Sequence, residues 1–433
     1  MIKFGQFTLL NEGGLGGHMD HLYDNWDLTF GELKHMLAAA SNGELEGTEK
    51  TDGQNIFITY NIEKRDARAV RNKGNAKAGG MDAATLANKF AGEGRESIQA
   101  VFLQAFNMFK KGIQALNDDE IIDLFGREGN IFYNAEVIDS RSSNVINYDI
   151  NTLLVHRDAP GVAVNFHTGE LKDVYDPGRS ARLAAALDRM NEVLDADNYK
   201  IMGDAITRLN KLENDTALRD ALIVIRKLGV KDNHRIKDYL IKNIKRDIQK
   251  EIPTLRPREI NILLVKILES DDETKWKKLG FTKAPTITQM VKEFDEDTRV
   301  KVKEIYNTRA ESIKTYILPL EMAIHQFGVE MLKSLESTLI IDNKAELDRQ
   351  RQEVAAAISN IEASGHEEAL DILKKQLIKL GAADNLSSPA EGFVFRFNGH
   401  TYKFTGNFAP VNQILGLFKF GRGNIKPEDL KVR

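Results

Sequence analysis

Strand-like patterning occupies both ends of this chain, and a helical period fills the space between. QNIFITY (54–60) and NIFYNAEVI (130–138) are rich in β-branched and aromatic residues and read as strands. So do 153–156 and 162–166, with the turn Asp158-Ala159-Pro160-Gly161 between them. From 81 to 116, Leu86, Phe90, Ile98, Val101, Phe102, Ala105, Phe106 and Phe109 fall at helical spacing. The character changes near Asp176-Pro177-Gly178. From about Ser180 to Ala383 apolar residues recur almost throughout at i, i+3, i+4 and i+7, and prolines at 253, 257, 285 and 319 punctuate the helices. No fixed repeat length appears, which argues against a solenoid. Beyond Ser387-Ser388-Pro389, EGFVFRF (391–397) and HTYKFT (400–405) flank Asn398-Gly399, the strongest hairpin signal in the chain. The simplest account is one α+β domain in two pieces, 1–176 and 387–433, interrupted by an all-α insertion at 177–386.

Composition narrows the chemistry. The 433 residues are 42% hydrophobic and 29% charged, which fits a globular chain with a large core. There are no cysteines, so disulfides, thiolate metal sites and cysteine nucleophiles are excluded. The net charge of -4 decides nothing about nucleic acid, because only a local patch has to meet phosphates. No apolar run is long enough to span a bilayer, and the N-terminus is too polar and glycine-rich for a signal peptide, so a cytoplasmic location is expected.

The candidate chemistry begins at Glu49-Lys50-Thr51-Asp52-Gly53. An Asp-Gly turn just before a strand fixes a backbone and exposes the lysine beside it, which suits a covalent nucleophile. Four further elements follow in order. Arg71 and Lys73 lie in a basic loop, Glu136 on the strand YNAEVID, Glu391 at the start of AEGFVF, and Lys403 on YKFTG. This order resembles the covalent nucleotidyltransferase superfamily of polynucleotide ligases and mRNA capping enzymes. That superfamily carries a Lys-x-Asp-Gly motif, an arginine loop, a glutamate on an internal strand, a Glu-Gly-hydrophobic-Val strand and a closing lysine strand. The resemblance covers roughly residues 45–175 and 388–406. Glu49 before the lysine and Asn55 five positions after it are similar to the RNA ligases of the phage and RNA-editing type. The chain departs from the family at Thr401 and Thr405, one of which would stand as a second lysine. The base-stacking aromatic is not single either; Tyr148, Leu154 and Phe166 are candidates.

The resemblance implies a mixed antiparallel-sheet nucleotidyltransferase (ATP-grasp-like ligase) domain interrupted by the all-α insertion. Lys50 would attack the α-phosphate of ATP to give lysyl-AMP and pyrophosphate. Lys403 and Arg71 would neutralise the phosphates and favour the neutral amine. Glu136 and Glu391 are the implied Mg²⁺ ligands, with the ribose as an alternative for Glu136. Glu49, Asp52, Gly53 and Asn55 would complete the nucleotide site. The implied partner is RNA with 5′-phosphate and 3′-hydroxyl ends. Two alternatives stay open. One is DNA ligation or nucleotidyl transfer to another acceptor, including protein. The other is a non-catalytic nucleotide-binding scaffold whose helices dock a partner.

Some features invite a simpler reading. His18 and His21, with Asp20 and Asp24, have the i, i+3 spacing of a metal pair on a helix, but a polar helix start accounts for them. The basic stretches 226–246 and 275–283 are interleaved with acids and read as solvated faces. Lys419, Arg422 and Lys426 in the tail are better placed to meet phosphate.

Overall fold

The computed structural model describes residues 19–51, 53–92, 96–139, 151–156, 161–174, 176–194, 199–203, 206–268, 273–335 and 391–407, with Val411 and a few positions between 352 and 374. In chain order the elements are β1 (Asp20–His21), α1 (Phe30–Ser41), β2 (Glu46–Lys50), β3 (Gln54–Asn61), β4 (Asp66–Val70), α2 (Lys73–Lys77), α3 (Ala83–Lys89), α4 (Glu96–Gly112) and α5 (Asp118–Phe125). They continue as β5 (Ile131–Ile138), β6 (Asn151–Val155), β7 (Val162–Val164), β8 (Leu171–Asp173), α6 (Pro177–Leu194), β9 (Tyr199–Gly203) and β10 (Ile206–Arg208). The named helices that follow among the described residues are α7 (Thr216–Lys227), α8 (Ile236–Glu251), α9 (Pro257–Leu268), α10 (Glu273–Lys278), α11 (Ile287–Met290), α12 (Glu296–Asn307) and α13 (Arg309–Ser334). The hairpin strands are β11 (Gly392–Phe397) and β12 (His400–Thr405).

The chain is mixed α+β, as the patterning indicates, but it divides into compact units at other places than 176 and 387. One unit joins residues 21–38 to 214–327. The other takes in 39–213 and the chain from 328 onward. The boundary near 177 fails because α6 is a core element of the mixed unit. Its Leu183, Ala186, Leu187, Met190 and Leu194 are buried with α4 and the sheet. The strands β9 and β10 behind it were hidden in sequence by their shortness, yet each extends a sheet.

Among the described residues the mixed unit holds two sheets. The larger runs β4-β3-β5-β6-β9, with β7 and β8 branching from β5. Most of its pairings are antiparallel, but β6 and β9 run parallel. Residues 153–156 and 162–166 were expected to pair across a turn; instead β6 and β7 each pair with β5. One face is packed by Val101, Phe102, Phe106 and Phe109 of α4, which lie against Ile56, Ile58, Ala135 and Val137. Burying each such side chain contributes roughly 1.5–3 kcal/mol. Phe109, Phe125 and Tyr133 add two edge-to-face contacts at 5.7 and 5.5 Å. The opposite face carries a smaller cluster of Phe57, Val70, Phe132, Val162 and Val164. Alternation along β3 and β5 then puts Asn55, Asn134 and Glu136 on that second face, away from the helices.

The smaller sheet runs β1-β12-β11-β2-β10. Its hairpin follows the sequence signal closely. Asn398 and Gly399 both have positive φ, 48° and 80°, as a two-residue primed turn requires. Phe393, Phe395, Tyr402 and Phe404 are buried on one face, with Phe395 and Phe404 stacked at 5.1 Å. Gly328, near the end of α13, lies against Phe404 on this side.

In the helical unit, Phe30, Tyr239 and Tyr316 meet edge to face at 6.2 and 6.3 Å, tying α1, α8 and α13 together. The basic stretch 226–246 carries acids among its bases, and its ion pairs include Lys34–Asp232 at 2.7 Å and Arg235–Asp27 at 3.2 Å. Among the described residues no helix is long and apolar enough to cross a membrane.

Candidate functional site

The site lies between the two sheets of the mixed unit. β2 ends at Lys50 in the smaller sheet, and β3 begins at Gln54 in the larger. The Lys-Thr-Asp-Gly segment is therefore a crossing between sheets and not the hairpin turn that its Asp-Gly pair suggests. Asp52 lies outside the described residues.

Pairing of β2 with β11 carries Lys50 to the far end of the chain. Gly392 stands opposite Lys50, Val394 opposite Thr48, and Lys403 of β12 opposite Val394. Thr48, Lys50, Val394, Arg396, Thr401 and Lys403 accordingly share one sheet face, and the aromatic cluster takes the other. Lys50 Nζ forms an ion pair with Glu391, the residue just before β11, although the two are more than three hundred positions apart in sequence. Both side chains are largely covered, at 14% and 24% exposure. Lys403 stands two strand spacings from β2, about 10 Å.

The larger sheet supplies the opposite wall. Glu136 is buried, and its Oε2 accepts hydrogen bonds from Thr51 Oγ1 at 2.6 Å and from Gly53 N at 3.1 Å. His156, at the end of β6, brings Nε2 to 3.5 Å from Oε1, an ion-pair distance at the edge of hydrogen bonding. His156 is itself anchored by its backbone N–H, which donates to Asn134 O at 2.9 Å. Burial pushes the Glu136 carboxyl up, but His156, Lys50 and Thr51 together outweigh it and hold the group below its ordinary value. Asn55 stands opposite Glu136, and its Nδ2 donates to Asn134 Oδ1 at 2.6 Å. Lys50, Glu136, Asn134, His156, Thr48, Arg396 and Thr401 are among the residues lining a cavity of about 20 Å³, room for one water.

The sequence-derived set therefore divides. Lys50, Gly53, Asn55, Glu136 and Glu391 come together, and Lys403 shares the face of Lys50 one strand beyond Val394. Glu49 does not join them. It is buried and stands opposite Phe393, on the aromatic side, because neighbours on a strand face opposite ways. Arg71 is also elsewhere. Its guanidinium lies over the rings of Phe90 and Phe102 at 5.4 and 5.6 Å, on the helix-packed side, and burial pulls its pKa down. Glu136 does not fit the part of Mg²⁺ ligand, since its oxygens face Thr51, Gly53 and His156. Among the described residues no three acidic or histidine side chains converge on one point. His21 stacks on Tyr23 at 4.9 Å in a strand and turn, with no helix to set a metal pair, and His18 lies outside the described residues.

Thr51, Asn134, His156 and Arg396 are the site residues that motif reading passes over. Asn134 sits two positions before Glu136 on the same face, so period-2 alternation could have found it. His156 carried the weaker signal of a polar group closing an apolar strand. Of the stacking candidates, Leu154 is buried opposite Glu136 and Phe166 packs on the smaller cluster. Tyr148 and the tail residues 419, 422 and 426 lie outside the described residues. No protein-family model, no curated protein and no solved structure matches this chain.

Proposed function

We propose that this protein is an ATP-dependent nucleotidyltransferase of the RNA-ligase kind that works through lysyl-AMP at Lys50. The reading is carried by one observation: Lys50, which lines the cavity, pairs with Glu391, remote in sequence, and a second lysine strand runs alongside. The family motifs named above predict that meeting from their order alone.

In the proposed reaction the Lys50 ammonium first loses a proton, and Glu391, already in contact with it, is placed to receive it. The free Nζ lone pair then attacks the α-phosphorus of MgATP. A P–N bond forms, the bond from the α-phosphorus to the bridging oxygen breaks, and pyrophosphate leaves with that electron pair. Lys403 and Arg396, on the Lys50 face, supply positive charge where phosphoryl oxygens gather it. Mg²⁺ belongs here to the substrate, with ligands from phosphate and water, and it neutralises charge on the nucleotide. A nucleotide needs more room than this cavity of about 20 Å³ offers, since small-molecule pockets run to roughly 300 Å³ or more. AMP would then pass to an RNA 5′-phosphate, and a 3′-hydroxyl would displace it to seal the strand.

Transfer to DNA or another acceptor uses the same first step. A non-catalytic scaffold is the competing class, favoured by Thr401 and Thr405 where the family has a second lysine. Incubation with α-labelled ATP and Mg²⁺ separates the classes. Label retained by the parent and lost in Lys50→Ala supports the enzyme; no label in either overturns it. Nicked RNA, DNA and hybrid duplexes then identify the acceptor.

A further inference from the structure

We propose that Thr51, Glu136 and His156 form a positioning relay that fixes the backbone on which Lys50 stands. Glu136 serves this purpose in place of a contact to metal or ribose. The inference rests on the reading of Lys50 as nucleophile, but its geometry is independent of any nucleotide.

Lys50 is the last residue of β2, and the chain must cross to the other sheet within three residues. Pairing with Gly392 holds Lys50 on the side of the smaller sheet, and the crossing itself has still to be held on the side of the larger one. Glu136 supplies the hold. One oxygen takes both the Thr51 hydroxyl and the Gly53 amide, so the residues on either side of position 52 close on a single atom. Thr51 occupies the x of the Lys-x-Asp-Gly string. Gly53 is required by the same approach, because a Cβ there would stand 2.8 Å from Glu136 Cβ. The other oxygen faces His156, whose backbone is tied to β5 through Asn134. All three residues are at least nine-tenths buried, at 3%, 6% and 7% exposure for Thr51, Glu136 and His156. A carboxylate committed to two donors and a histidine has little acceptor capacity left for a metal or a ribose hydroxyl. Charge-assisted bonds in a covered site are the stronger kind, which suits a part that sets geometry.

Thr51→Val keeps the side-chain shape and removes the donor; Thr51→Ser restores the hydroxyl. Each full-length variant is measured in two ways. The first, without nucleotide, is the rate at which acetic anhydride modifies Lys50 relative to exposed lysines, mapped by mass. The second is the single-turnover rate of lysyl-AMP formation beside the Kd for ATP. The relay predicts that Thr51→Val changes Lys50 labelling by about 3-fold or more and slows adenylation about 10- to 100-fold. The Kd should stay within about 3-fold, and Thr51→Ser should return both rates toward the parent. Glu136→Gln retains an acceptor oxygen and should leave the Mg²⁺ half-saturation concentration unchanged. The proposal is overturned if Thr51→Val is silent in labelling, if weaker ATP binding carries the whole loss, or if Glu136→Gln raises the Mg²⁺ requirement about 10-fold or more. Should the parent form no lysyl-AMP, the enzymatic reading fails, and labelling alone decides whether the relay holds the lysine.

Discussion

Gly53→Ala is the smallest perturbation that tests how Lys50 is held. The new methyl would lie 2.8 Å from Glu136 Cβ, 3.1 Å from Glu136 Oε2 and 3.2 Å from Ile138 Cγ1. Carbon atoms in good contact stand about 3.5–4.0 Å apart, so the overlap is roughly 1 Å. Rotating the Glu136 side chain cannot relieve it, because Cβ is fixed by a strand paired on both sides. Either the crossing at 51–53 moves or β5 does. Overpacking of this kind costs about 1–3 kcal/mol. Displacement of the crossing also weakens the two bonds to Oε2, at 2.6 and 3.1 Å, each of a type worth about 1.5–3 kcal/mol. These terms are coupled and do not add, so we expect a net loss of about 3 kcal/mol. A 1 Å shift of a reacting group also slows chemistry by about 100-fold. The assay pairs urea unfolding by circular dichroism with the single-turnover adenylation rate. A variant that unfolds at the parent's midpoint and reacts at the parent's rate would refute the claim that this crossing is pinned to β5.

Other outcomes follow from the same geometry. Arg71→Ala should leave the adenylation rate within about 3-fold of the parent while lowering stability by about 0.5–2 kcal/mol, since the guanidinium is spent on two phenylalanine rings; a collapse in adenylation would return Arg71 to the site. Phe395→Ala should cost about 3–5 kcal/mol in urea unfolding, because its ring is fully buried among Phe393, Tyr402 and Phe404. The Glu136 carboxyl, held below its ordinary value near 4.5, contributes stability that is present above that value and fades as pH falls through the lowered one. The difference in Tm between parent and Glu136→Gln should therefore shrink as pH drops below about 4.5; a difference that stays constant there contradicts the assignment.

The legible part of this chain was local. Asn398-Gly399 between two alternating runs specifies its hairpin, because few other dipeptides accept two positive φ values in succession. The apolar stripe of α4 and the strand at 131–138 were equally plain. Motif order drew attention to Lys50, Glu136 and Glu391; Lys50 pairs with Glu391 and lines one cavity with Glu136. Face was harder. Glu49 sits in the right segment but points away, which only strand register decides, and Arg71, just past β4, turns to the rings of Phe90 and Phe102. Lys50 and Gln54 look like the two sides of a turn, although their strands belong to different sheets. The short strands β9 and β10 carried too few residues for a period, so a helical insertion seemed to begin at 177 when α6 belongs to the core of the mixed unit.

The mass of intact protein after exposure to MgATP tests the central claim most directly, followed by digestion to locate any adduct. The account predicts a gain of one AMP on the peptide that contains Lys50, absent when Lys50 is alanine. A parent protein whose mass is unchanged by saturating MgATP, or whose AMP maps to another residue, would contradict it.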